Sequence, residues 1–369
     1  MAAKVYFANA RARIHTENKI TKINRLADAV GLGGMIGQGD LTAIKLHFGE
    51  HGNDTHLRPM YARQIVDKVR AAGGKPFLTD TNTLYTGSRT NAVDHLLTAY
   101  EHGFSFATVN APVLIADGLR GGNAATVVIN QKRFKEVIIG RDIHDCDCLV
   151  ALSHFKGHMV AGFGGAIKNL AMGCATNQGK LAQHSPRLEV DRDKCIGCGL
   201  CQEHCPTQAA QVGDDGKCAV DVAKCIGCFE CVSVCQEGAV QPDWLQDIPV
   251  FMERMTEYAY GAIRNKAGKV CFINFLLDIT PDCDCANWSD TPMVPNIGML
   301  ASTDPVAIDK ASYDLVQAQT SLANSKLELP LGPGQDKFGA AWAHTQGLTQ
   351  ITYGEQIGLG TAQYELIEI

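Results

Sequence analysis

Cysteine is the residue whose spacing in this chain points most directly to chemistry. Eight of the 15 cysteines fall into two runs, Cys195-x2-Cys198-x2-Cys201-x3-Cys205-Pro206 and Cys225-x2-Cys228-x2-Cys231-x3-Cys235. Both runs open on Val-Asp-x-x-Lys-Cys-Ile-Gly-Cys, from Val190 and from Val220, which marks a duplicated half-module. Thiolates are soft anionic ligands, and four of them hold a 4Fe-4S cube when three come from one tight loop and the fourth from further along. A zinc ribbon or a disulfide framework is the competing explanation. Zinc sites, however, show two separated Cys-x2-Cys pairs rather than runs of four that end in x3-Cys. The spacing therefore predicts two 4Fe-4S clusters.

The stretch 188–242 resembles the bacterial two-cluster ferredoxins. That resemblance implies that the fourth cysteine of each run ligates the other cluster. Cys195, Cys198, Cys201 and Cys235 would then form one site, and Cys225, Cys228, Cys231 and Cys205 the other. Gly197 and Gly227 suit a backbone that passes close to a cluster, because glycine has no Cβ. Gln236 stands where the first run has Pro206, which leaves every ligand in place.

A second set of capable residues lies outside these runs. Lys45, His47, Asp80, His154, Lys156 and His158 follow apolar stretches, and Lys168 and His184 come after them. Histidine exchanges protons near neutral pH, and lysine neutralises or covalently holds a carbonyl or carboxylate. The set suits proton-coupled reduction of a small anionic organic substrate. We assign catalytic roles to His154, Lys156, His158, Lys168, His47 and Asp80, and ligand or cofactor contacts to Gly162, Gly164, Gly165, Lys45 and His184. Singly, a histidine is more often a surface or core residue and a lysine a solvated one. Recurrence at successive strand ends is what marks these out.

Two motifs stay open at this level. The glycine-rich stretch 162–169 matches neither the P-loop nor the dinucleotide fingerprint; it serves either to cradle phosphate on backbone N–H groups or to make a tight turn for close packing. Asp145-Cys146-Asp147-Cys148 recurs as Asp282-Cys283-Asp284-Cys285. On a strand, alternate residues face opposite ways, so neither pair chelates by itself. Together they would offer a third metal site; otherwise they are buried thiols beside capping aspartates. Cys174 and Cys271 read as core residues, and Cys218 has no evident partner.

The elements that must position these residues alternate. Strands are expected around Val5, over 41–46, over 76–79, around 113–116, 126–129 and 137–139, over 148–152 and over 269–277. Helices are expected over 23–30, from Pro59 to the glycines at 73–74, over 91–102, over 251–263 and from Pro305, with Asp304 as N-cap. The stretch 329–339 reads as a loop. Alternating strands and helices imply an α/β fold with a mostly parallel or mixed sheet, whose ligands bind beyond the carboxyl ends of the strands. The cysteine-rich segment interrupts that pattern. It reads as an α+β ferredoxin-like insertion at 188–242 between host segments 1–187 and 243–369.

The whole chain sets outer limits. At 369 residues it is too long for a lone ferredoxin. With 46% hydrophobic and 20% charged residues it has an ordinary globular composition, and no apolar run is long enough to span a bilayer. The net charge of −6 argues against nucleic-acid binding. No secretory signal is evident, and so many thiols suit a reducing cytoplasm. Oligomer formation is left open.

Five segments together resemble a known family: Lys45-Leu-His47-Phe-Gly-Glu, Asp80-Thr-Asn82-Thr-Leu-Tyr85, Ser153-His154-Phe-Lys156-Gly-His158, Gly164-Gly165-Ala-Ile-Lys168-Asn169 and Asp304-Pro305-Val-Ala-Ile-Asp309. They look like the domain of unknown function 362 family in its ferredoxin-containing form. The resemblance spans nearly the whole chain and implies an α/β host domain with iron-sulfur clusters, but no substrate. A shorter likeness covers 158–168, which is similar to the stretch of nickel-pincer lactate racemases where a histidine, Ala-Gly and paired glycines precede the cofactor-bearing lysine. It implies a proton-handling role for His158 and an anchoring role for Lys168.

The expectation is an iron-sulfur oxidoreductase in which two 4Fe-4S clusters pass electrons between an external low-potential partner and a His/Lys pocket. An electron-transfer or metallocofactor-assembly protein without its own turnover is the first alternative. An isomerase or racemase with structural clusters is the second.

Overall fold

The computed structural model describes residues 2–85, 87–184, 188–225, 230–242 and 244–369. An eight-stranded sheet runs in the order Tyr364–Glu368, Ala3–Asn9, Gly298–Ser302, Val270–Leu276, Cys148–His154, Leu41–Lys45, Lys75–Asp80, Val113–Ile115. Every neighbouring pair is parallel except the two made by Gly298–Ser302, which runs against the rest. The host is thus a mixed α/β fold with a mostly parallel sheet.

The central strands Cys148–His154 and Val270–Leu276 are buried along their whole length, which explains their largely apolar sequences: helices cover both faces of a parallel sheet. Side-chain alternation then builds two cores. Val150, Leu152, Ile273 and Phe275 face the helices Lys19–Ala29 and Pro59–Ala71, meeting Ile23, Leu26, Ile65 and Val69. Leu149, Ala151, Phe272 and Leu276 face the other way, toward Ala166–Cys174, Trp244–Ile263 and Pro305–Gln317 with Ile167, Leu170, Met255 and Ile308. Each buried Leu or Ile contributes about 1.5–3 kcal/mol, so the sheet and its two helical layers hold one another.

Helix limits follow local chemistry. The Asn91 side chain accepts from the amides of Val93 and Asp94, and the Asp304 side chain from those of Val306 and Ala307. Pro59 and Pro305 occupy first-turn positions where no amide proton is needed.

Several elements depart from the sequence reading. Ala124–Val128 and Glu136–Gly140 form an antiparallel hairpin outside the large sheet. The helix expected over 251–263 begins at Trp244 and carries Pro249 near its start. The loop expected over 329–339 ends in a helix, Lys337–Ala341, because Phe338 packs into the core. Gly298–Ser302 and Tyr364–Glu368 had not been foreseen as strands.

The segment 188–242 carries a small core of its own, including Cys195, Cys201, Ala210, Cys218, Cys231, Ala239 and Val240. Leu188–Val190 pairs with Val240–Pro242, and Ala210–Val212 with Cys218–Val220, both antiparallel. Short helices Leu200–Glu203 and Glu230–Ser233 carry Cys201 and Cys231. Among the described residues no helix is long and apolar enough to cross a membrane.

Candidate active site

The carboxyl ends of the parallel strands place Lys45, Asp80 and His154 along one edge of the sheet. An inner pocket there is lined by Lys45, His47, Ser153, His154, Lys156, Lys168, Asn169 and Cys283 among others. The antiparallel hairpin of Lys156–His158 and Gly162–Gly164 folds over it.

Lys45 is buried and ion-paired to Asp80 at 2.9 Å, while its Nζ also donates to Asn169 Oδ1 at 2.7 Å. A Cβ on Gly173 would overlap Lys45 Nζ, so that glycine is what lets the lysine reach the helix Ala166–Cys174. Burial by itself would raise the Asp80 carboxyl. The Lys45 ammonium foremost, with His47, His95 and the Arg89 guanidinium around it, holds it well below the usual carboxylate range. Arg89 stands 3.4 Å from Asp80 and 3.2 Å from Glu50, and donates to the Tyr85 hydroxyl. Burial, followed by Arg89, depresses His47 well below its ordinary value, and its Nδ1 accepts from the Gly49 amide.

A second charge group is centred on Asp284. One carboxylate oxygen lies 2.8 Å from His154 Nδ1 and the other 2.9 Å from Lys156 Nζ. His154 Nε2 points at the carbonyls of Leu277 and Asp278, 2.9 and 3.0 Å away. Both ring nitrogens thus face oxygens, and the ring ties Asp284 to the end of strand Val270–Leu276. Burial opposes the charges of Asp284 and Lys156, yet His154 and then Lys156 hold the Asp284 carboxyl far below its usual range, and Asp284 raises the Lys156 ammonium.

His158, Cys283 and Cys285 bring their donor atoms within 4.8 Å of one another. His158 Nδ1 accepts from the amides of Val160 and Ala161, each at 3.0 Å. Burial, then Lys168, lowers this histidine to about 4. The Cys285 thiol donates to Cys283, and Lys168, Lys156 and His158 add to that, so Cys283 lies well below the ordinary thiol range despite its burial. Cys285 is pushed up in turn by that same hydrogen bond. His184, at the end of helix Asn177–His184, stacks on Phe251 and is lowered to about 3 by burial, Lys168 and His158.

The glycine-rich stretch serves close packing. Gly165 is the N-cap of helix Ala166–Cys174, and the Asp309 carboxylate accepts from the Ala166 and Ile167 amides at 2.7 and 2.9 Å. A Cβ on Gly165 would overlap Asp309. The anion at this helix start is therefore the protein's own side chain. Gly162 and Gly164 lie in the hairpin strand, and Gly164 passes Lys168, where a Cβ would stand 3.1 Å from its Cδ.

In the cysteine-rich segment, Cys195, Cys198, Cys201 and Cys235 line one cavity, three from the first run and one from the second. Cys218 lines it too, and its amide donates to Cys195 Sγ at 3.3 Å. Cys205 Sγ accepts from the Ala209 and Ala210 amides, and Cys235 Sγ from Ala239. Of the other expected group, Cys225 and Cys231 are described and Cys228 lies outside the described residues.

The two Asp-Cys-Asp-Cys segments do not meet. Cys148 opens strand Cys148–His154, whereas Cys283 and Cys285 follow the far end of the parallel strand Val270–Leu276. The strand alternation expected for the second segment also fails, because 283–285 lies in turns, where both thiols face one site. Sequence reasoning missed Asp284, Arg89 and Glu50, and the pairing of Cys283 with Cys285. The repeated acidic-cysteine pattern was the one available signal.

The model of the family described as domain of unknown function (DUF362) matches residues 42–314, well over half of the chain, and the chain belongs to that family. The lactate racemase apoprotein from Thermoanaerobacterium thermosaccharolyticum is similar at 14% identity and a TM-score of 0.39, over 75% of this chain and 51% of that one. A protein from Thermotoga maritima is similar at 8% identity and a TM-score of 0.32, over 71% of this chain and 50% of that one. The chain spans about half the length of these two structures.

Proposed function

We propose that this DUF362 chain is an iron-sulfur oxidoreductase acting on a small anionic organic substrate at the sheet edge, in exchange with an external one-electron partner in a reducing compartment. The observation that carries the reading is the cavity at which Cys195, Cys198 and Cys201 meet Cys235 from the other run. Its donor set fits a 4Fe-4S cube: four thiols, with an amide directed at Cys195 Sγ and another at Cys235 Sγ, the pattern that stabilises bound thiolate. Cys205, Cys225, Cys228 and Cys231 would hold the second. Such clusters, when bound, supply one electron each.

The chain's own residues provide the rest. Lys168 and Lys156 on the pocket wall attract a carboxylate or enolate, and Asp284 keeps Lys156 charged and aimed. His158 carries its proton on Nε2, because Nδ1 accepts two amides, and so presents a fixed N–H beside Cys283. Lys45 is committed to Asp80 and Asn169; it braces the strand end against the helix behind the pocket.

Anaerobic purification followed by iron and sulfide analysis tests the cluster assignment. About eight irons per chain are expected from two cubes, with about half retained in Cys235→Ala. Four or fewer in the unaltered chain would sink the two-cluster reading. Titration of the reduced protein with small 2-oxo and unsaturated carboxylates tests the pocket: oxidation by one of them, lost in Lys168→Met with iron unchanged, supports it. Full iron with no oxidation by any such acid would instead leave an electron carrier.

A further inference from the structure

The clustering of His158, Cys283 and Cys285 within 4.8 Å suits a soft metal ion at first sight. The histidine argues against one. A metal-binding imidazole donates the proton of its other nitrogen to an acceptor, whereas His158 Nδ1 faces two backbone N–H donors, Val160 and Ala161. The ring proton therefore sits on Nε2, toward Cys283, and leaves no lone pair for a metal. The same surroundings do suit a thiolate. Lys168 Nζ is 3.7 Å from Cys283 Sγ, and Cys285 Sγ lies within 4.8 Å of that sulfur. Cys283 lines the inner pocket, and both cysteines line an outer, open cleft walled by Tyr85, Met159 and Trp288.

We propose that Cys283 and Cys285 form a redox-active dithiol, Cys283 the nucleophile and Cys285 the resolving thiol, that reduces a small organic disulfide entering through the outer cleft. The Cys283 thiolate attacks one sulfur of R–S–S–R; a Cys283–S–S–R bond forms, the substrate S–S bond breaks and RS⁻ leaves. Cys285 then attacks the Cys283 sulfur, its proton passing to the second departing sulfur, so that a Cys283–Cys285 disulfide forms and RSH leaves. The dithiol loses two electrons and the substrate disulfide gains them. A small dithiol reductant restores the pair by the reverse exchange. Lys168 and the His158 N–H hold the attacking charge, and the apolar cleft wall suits the carbon arms of R. The proposal extends past the electron-transfer reading and stands whether or not that reading holds.

The test uses the purified, cluster-loaded chain, treated with hydroxyethyl disulfide, quenched by alkylation and mapped by peptide mass spectrometry. The unaltered chain is expected to lose two hydrogens within the peptide that contains Cys283 and Cys285. Cys285→Ser should stop at a mixed disulfide on Cys283, and Cys283→Ser should leave Cys285 as unreactive as the buried Cys174. The proposal is overturned if the unaltered chain leaves both thiols reduced, a result that needs no variant to fold. It is also overturned if Cys285 reacts at the unaltered rate in Cys283→Ser, or if a stoichiometric metal masks both thiols until it is chelated away.

Discussion

Lys168 Nζ stands 3.7 Å from Cys283 Sγ, a contact between the glycine-led helix and a turn that the cysteine-rich segment separates in sequence. The contact assigns the lysine a task, since an ammonium beside a sulfur favours the thiolate. Lys168→Met should therefore move the pH profile of Cys283 alkylation by iodoacetamide upward, slowing it at neutral pH by roughly tenfold, while Lys168→Arg keeps most of the rate. Equal rates in the Met variant would show that the other donors suffice.

Asp284 is buried between His154 and Lys156, so removing its charge strands the Lys156 ammonium. Asp284→Asn should cost about 3–5 kcal/mol in urea unfolding, the usual consequence of breaking a buried pair from one side. Adding Lys156→Met should recover part of the loss, because the uncompensated ammonium goes with it. A double variant as unstable as the sum of the singles would refute coupling at 2.9 Å.

Much of this edge was legible in the sequence. Lys45, Asp80 and His154 follow strands written as apolar runs, and a parallel α/β sheet places such residues together. Lys156, His158 and Lys168 also converge, because the hairpin and the glycine-led helix adjoin those strands. Asp284 was not legible, since its partners lie far off in the chain and a lone aspartate after a strand looks like a cap. The second Asp-Cys-Asp-Cys segment misled for a specific reason: alternation holds only on strands, and this segment turns. Gly165 was ambiguous because the carboxylate that fills its helix start comes from Asp309, on another helix.

Buried histidines set the acid limb of stability. His158 is lowered to about 4 and His95 to about 3, both chiefly by burial, from an ordinary 6.5. A folded value below the unfolded one means that their contribution is complete above about pH 6.5 and is lost as pH falls through the folded values. Chemical denaturation at stepped pH should show stability declining from about pH 6.5 down to about 3 by a few kcal/mol. Among the described residues His95 has no hydrogen-bond partner at either nitrogen, lying 4.0 Å from Asp80, so His95→Leu should flatten that decline. An unchanged slope would show that His95 keeps its charge when folded.

Asp309 sits at a helix start where an outside anion would otherwise bind, and its removal separates the two readings of the glycine-rich stretch. Burial outweighs the hydrogen bonds from Ile167, Asn274 and Ala166 and raises this carboxyl to about 6. A raised folded value means that its stabilising contribution is fullest below the unfolded 3.8 and fades as pH rises through about 6. Asp309→Ala should lower stability at every pH, by about 1–3 kcal/mol for each buried donor left without an acceptor, with Ala166, Ile167 and Asn274 all losing one. Sulfate or phosphate should then raise the melting temperature of Asp309→Ala more than that of the unaltered chain, because the emptied helix start is an anion site. Gly165→Ala supplies the control: its Cβ overlaps the carboxylate without removing it, so it should destabilise without any gain in anion response. Equal anion effects on all three chains would show that the helix start binds no anion once Asp309 is gone.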